Sequence, residues 1–211
     1  MGRFLGTLLV LCIVLAGAAR AEPIEGLEYE LLDPPRRTAE PNRIEVIEFF
    51  YYGCESCNRL EPRLAAWLAR KPADIDLRRV PALRKTDWIP LTRVFFVLEE
   101  LRALPQLHAE VYRAVHEEQR NLGTKSGLLD WAESKGLQRS EVERVLAADA
   151  IGIKVQKARD LTIAYDVRVT PSLVVDGRYL TSAGMIGDID QVIPVLEELI
   201  AKARRDRVPE Q

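Results

Sequence analysis

The sequence predicts an α/β fold in which a small sheet-based core is interrupted by an all-helical insertion. Three observations predict it. A β-branched and aromatic run at residues 44–50 is followed by helical periodicity and a second strand pattern at 75–80, which makes a βαβ unit. From residue 86 to about 165 the apolar spacing is helical throughout, with no strand pattern. Residues 173–181 then read as a β-hairpin around the turn-favouring pair Asp176-Gly177, and an amphipathic segment at 187–203 closes the chain.

Each element follows from local chemistry. Arg3, an apolar stretch at residues 5–16 and the small-x-small triplet Ala19-Arg20-Ala21 have the order of a secretory signal, so residues 1–21 are expected to be removed and the mature chain to begin at Glu22. The apolar stretch is shorter than the ~20 residues that span a bilayer. Cys12 follows Leu11, where lipidation wants a small residue, so no lipid anchor is expected. Residues 27–31 alternate as a short edge strand, ended by Asp33-Pro34-Pro35. The run at 44–50, interrupted only by Glu45 and Glu48, suits a strand covered on both faces, and Gly53 breaks it. Leu60, Leu64, Trp67 and Leu68 recur at helical spacing, Pro62 predicts a kink, and Pro72 ends the helix. Helices are expected at 94–104, 107–118, 126–134, 140–148 and 153–165, with Ser140 and Glu143 as a capping box. The resulting division is a core in two parts, residues 22–84 and 151–205, an insertion at 85–150, and a disordered tail at 206–211.

Charge excludes some functions. Loss of Arg3 and Arg20 leaves 28 basic residues of the original 30 against 32 acidic ones, a net charge of −4. The basic residues are dispersed rather than striped, so no nucleic-acid partner is expected. Trp67, Trp88 and Trp131 read as core or domain-junction residues, and His108 and His116 as ordinary positions on an amphipathic helix.

Removing the signal leaves two cysteines, Cys54 and Cys57, three apart. A disulfide closing so short a loop constrains the unfolded chain little, and so stabilises little. A zinc site needs two further ligands, and neither histidine has metal-ligand spacing, so no metal is expected. What remains is redox chemistry, with no cofactor beyond the Cys54–Cys57 disulfide itself. Cys54 falls at a strand-to-helix junction, where free backbone N–H groups and the helix dipole favour a thiolate. Cys57, one turn on, is expected to be the more buried, resolving thiol. Far along the chain, Val169-Thr170-Pro171-Ser172 opens a strand with a proline expected to be cis, facing the Cys54 sulfur and offering Thr170 backbone groups to a substrate polypeptide. Tyr51 and Tyr52 either line an apolar groove for substrate beside Cys54 or finish the strand.

The segments Glu48-Phe49-Phe50-Tyr51-Tyr52-Gly53-Cys54-Glu55-Ser56-Cys57 and Val169-Thr170-Pro171-Ser172-Leu173-Val174-Val175-Asp176-Gly177-Arg178-Tyr179 resemble the DsbA family of periplasmic disulfide oxidases. The resemblance implies a thioredoxin fold with an inserted all-helical domain. It implies a periplasmic enzyme that donates a disulfide to unfolded or reduced exported clients and is reoxidised by a quinone-linked membrane partner; a monomer is expected. It also gives Glu48 the place of a buried acid that relays a proton to or from Cys57; alternatively, Glu48 is a strand carboxylate satisfied by a neighbour.

The sequence departs from the family between the cysteines, where Glu55-Ser56 replaces Pro-His. A carboxylate at Glu55, if close to Cys54, raises its pKa and weakens oxidation, whereas a Ser56 hydrogen bond acts the other way. Thr170 before the proline also resembles the isomerase and reductase branches. A reductase or isomerase therefore stands as an alternative, as does a non-catalytic client-binding module or chaperone with a vestigial cysteine pair.

Overall fold

The computed structural model describes residues 22–40 and 42–207. The signal expected at 1–21 lies outside them. Five strands form one sheet: β1 (Glu30–Leu31), β2 (Ile44–Phe50), β3 (Ile75–Pro81), β4 (Ser172–Val175) and β5 (Tyr179–Ser182). Their order is β1-β5-β4-β2-β3, with β2 and β3 parallel and every other pair antiparallel. The β2–β3 crossover runs through helix α1 (Glu55–Leu68), as a parallel pair requires.

β2 is an interior strand between β4 and β3, and all seven of its residues are buried. Its side chains alternate between faces. Ile44 and Val46 pack with Leu60, Leu64 and Trp67 of α1 and with Val195, Leu196 and Leu199 of the closing helix. Ile47 and Phe49 enter a larger cluster with Val174, Ile151 and Val155. That second cluster runs without interruption into the helical insertion, taking in Phe95, Val111 and Trp131, so insertion and sheet share one core.

The insertion comprises α2 (Ile89–Glu100), α3 (Leu104–His116), α4 (Lys125–Ser134) and α5 (Arg139–Leu146). It returns through α6 (Asp149–Ala164), a helix that straddles the expected boundary at residue 150. The fold is the expected α/β arrangement.

Several local expectations are corrected. The edge strand shrinks to two residues because Gly26, at positive φ, turns the chain and its N–H bonds the Tyr29 carbonyl at 2.8 Å. The N-cap position of α5 is Gln138, which makes no side-chain capping bond, so Ser140 sits inside the first turn and Glu143 pairs with Lys125 instead of closing a capping box. Gly187 ends a short helix, α7 (Ala183–Ile186), in the left-handed conformation. The final helix is α8 (Val192–Arg207), which places Pro194 in the first turn, where its missing N–H is harmless. Asp206 and Arg207, expected in a disordered tail, form the last turn of α8; the Arg207 guanidinium binds the Asp176 carboxylate and the Arg43 carbonyl. Asp176 and Gly177 both take positive φ in the β4–β5 turn, where a Cβ on Gly177 would lie 2.1 Å from the Arg36 carbonyl.

Candidate active site

α1 begins at the sulfur. Cys54 is its N-cap residue, in extended conformation, half-buried, while Cys57 is fully buried one turn later. Both are thiols here. The Thr170–Pro171 peptide is cis, and the Cys54 thiol donates to the Thr170 carbonyl at 3.2 Å across 116 residues of sequence. The Cys54 pKa is lowered to about 6. A hydrogen bond from the Cys57 thiol contributes most; burial opposes it, and a Thr170 side-chain bond and the backbone N–H groups of Cys57 and Ser56 assist. Burial pushes the Cys57 thiol well above its ordinary value, followed by its bond to Cys54 and the nearby Cys54 and Glu48 charges. One thiol is thus acidic and reachable, the other weakly acidic and enclosed.

Glu55 does not act as expected. Its carboxylate is 71% exposed and stands 3.2 Å from His116 Nδ1 on α3, and Cys54 titrates low in its presence. Ser56 acts through its backbone N–H. Tyr52 is also corrected: it is 1% exposed and faces the insertion, its hydroxyl 2.8 Å from His108 Nδ1, so its ring lines no groove. Strand β2 has ended two residues earlier, so Tyr52 follows the chain toward α3. Tyr51 instead flanks the cysteine segment, stacked on Trp88 at 4.1 Å with an interplanar angle of 2°. Gly53 permits this, since a Cβ there would sit 2.5 Å from the Tyr51 ring.

Under α1 lies a buried charged group. Glu48, with no exposed surface, accepts from Arg79 Nε at 3.0 Å, and Arg79 Nη2 reaches both Glu61 oxygens at 3.1 and 3.0 Å. His108 Nε2 faces Glu61 at 3.4 Å. Burial raises the Glu48 pKa to about 7, with Arg79 opposing and Glu61 assisting. Burial also pushes Glu61 up, but the His108 and Arg79 bonds outweigh it and hold it below the usual range. Burial lowers His108. Glu48 therefore has the neighbour of one sequence reading and the raised pKa of the other.

The DSBA-like thioredoxin domain family matches residues 73–193. The thiol:disulfide interchange protein DsbA of Bordetella parapertussis is 33% identical over 84% of this chain and 85% of its own length. That of Pseudomonas aeruginosa is 31% identical over 95% of each. The chain belongs to the DsbA family. The crystal structure of Pseudomonas aeruginosa DsbA superposes with a TM-score of 0.82 at 32% identity, over 87% of this chain and 96% of that one.

In this DsbA-family oxidoreductase, sequence reasoning missed four contributors. Arg79 and Glu61 complete the buried acid's surroundings, and His108 and His116 come from the insertion. Arg79 carried a signal: in a parallel pair it registers opposite Glu48. The seven-residue step from Cys54 to Glu61 places that acid two helical turns along α1.

Proposed function

We propose that this DsbA-family protein is an exported, periplasmic disulfide-donating oxidase in which Cys54 exchanges with clients and Cys57 resolves. The observation that carries this reading is a low-pKa, half-exposed Cys54 at the helix N-cap, beside the Thr170–Pro171 backbone. A stabilised thiolate favours the reduced protein, and therefore the transfer of its disulfide to others. At pH 7 a thiol of pKa about 6 is stabilised over one of 9.0 by roughly 1 kcal/mol after screening at this half-exposed sulfur, or roughly 20 mV.

The exchange proceeds in two steps. A client thiolate attacks Cys54 Sγ of the disulfide, forming a client–Cys54 mixed disulfide and expelling Cys57 as a thiolate. Cys57, whose burial favours its neutral form, takes a proton from Glu48, which at about pH 7 is protonated in a substantial fraction of molecules. A second client thiolate then attacks the client sulfur, and Cys54 leaves as a stable thiolate. The client is oxidised by two electrons, and the Cys54–Cys57 pair is reduced. Thr170 and Pro171 align the client chain beside Cys54 by short strand addition. Regeneration requires an oxidant, and a quinone-linked membrane protein fills that role in this reading; the catalyst is a monomer.

Among the described residues no helix is long and apolar enough to cross a membrane. The test is stoichiometric oxidation of a reduced, denatured client by the purified disulfide form. One client disulfide per protein, lost in Cys54→Ser, supports the reading. Activity only as a reductant of insulin, with no donation, would assign the reductase alternative.

A further inference from the structure

His116 ends α3, and its mostly buried ring meets oxygen at both nitrogens within the active-site segment. Nε2 donates to the Tyr52 carbonyl at 2.7 Å, and Nδ1 stands 3.2 Å from the Glu55 carboxylate. A carbonyl can only accept, so Nε2 carries a proton; Nδ1 bonds the carboxylate when the ring holds its second proton. Glu55 faces the ring from α1 and the Tyr52 carbonyl from the β2–α1 turn. On its own helix Tyr112 stacks on it, with centroids 6.1 Å apart, and the Gln119 amide bonds the His116 carbonyl at 2.7 Å.

We propose that His116 is a positioning residue for thiol exchange: it holds the Glu55 carboxylate aside against α3, so that the acid between the cysteines does not oppose the Cys54 thiolate. The inference rests on Cys54 as the sulfur that exchanges with clients. A negative charge on the adjoining residue otherwise raises a thiol pKa, because it penalises the second negative charge beside it. The bond to the Tyr52 carbonyl fixes the ring two residues upstream of Cys54, so the insertion contributes to the redox centre through a single side chain. The dipeptide Glu55-Ser56 then costs the thiolate little, and its effect cannot be inferred from those two residues alone.

The test is the Cys54 pKa, read by thiolate absorbance at 240 nm in the full mature protein, for His116→Gln, Glu55→Gln and the double variant. Glutamine retains an amide donor for the Tyr52 carbonyl but no charge. His116→Gln should raise the Cys54 pKa by about half a unit, and the equilibrium constant against glutathione should fall about threefold. Adding Glu55→Gln should reverse the rise. Glu55→Gln alone, at an exposed position that folding tolerates, should leave the pKa unchanged or lower it. An unchanged pKa in His116→Gln, a rise that survives removal of Glu55, or a rise in Glu55→Gln alone would each overturn the proposal. Because absorbance reads the sulfur directly, such a result would be distinct from a failure of client oxidation.

Discussion

Replacing Glu48 by Gln keeps the shape of the side chain and removes its titration. The acid has no exposed surface, and its pKa is raised from 4.5 to about 7, chiefly by burial. An acid shifted upward on folding favours the native state only while it stays protonated, and that contribution is lost as pH rises from the unfolded pKa through the folded one. The shift amounts to about 3 kcal/mol, since each pKa unit is worth about 1.4 kcal/mol. Between about pH 4.5 and pH 8, the wild type should therefore lose about 3 kcal/mol of stability relative to Glu48→Gln, with most of the change complete near pH 7. Urea unfolding of both reduced proteins at several pH values measures this difference, and the comparison cancels groups that titrate alike in both. A difference that stays flat across this range, or moves toward the wild type as pH rises, would refute the burial argument. The same substitution should slow expulsion of Cys57 as the client–Cys54 mixed disulfide forms, most visibly below pH 7.

Thr170→Val removes the hydroxyl that helps hold the Cys54 thiolate; its pKa should rise by about half a unit and the potential fall by roughly 15 mV, as read by absorbance and by glutathione equilibration. In Cys57→Ser the free Cys54 thiolate can attack the disulfide of an oxidised client, expelling one client thiolate, but nothing resolves the product, so a client–Cys54 mixed disulfide should accumulate on non-reducing gels; a trapped adduct in Cys54→Ser instead would reverse the roles of the two sulfurs. Gly53→Ala drives a Cβ to within 2.5 Å of the Tyr51 ring and should displace it from Trp88, at a cost of about 1–3 kcal/mol in urea unfolding.

The order of elements was readable because each is written locally. The seven apolar-rich residues of β2, the helical spacing of α1 and the turn pair Asp176-Gly177 fix their own conformations. The cysteine pair was readable from its spacing and its place after a strand. The surroundings of that pair were not, because they depend on how the insertion folds back. His108 and His116 lie 56 and 64 residues from their Tyr52 partner atoms, and nothing local marks either histidine as different from any other on an amphipathic helix. The same dependence misled the reading of Glu55: adjacency in sequence suggested a contact with Cys54, while its carboxylate extends to His116 across the domain junction. Tyr52 was misjudged because strand alternation ceases at Phe50, and the tyrosine follows the turn into the core instead of a groove.

The central claim is that an acidic, accessible Cys54 makes the pair an oxidant. Equilibration of Cys54–Cys57 with glutathione buffers at pH 7, alongside the absorbance titration, tests it most directly. The structure predicts a thiolate midpoint near pH 6 and a potential above the about −270 mV of cytosolic thioredoxin. A midpoint near 9, or a potential close to the about −270 mV of cytosolic thioredoxin, would contradict it.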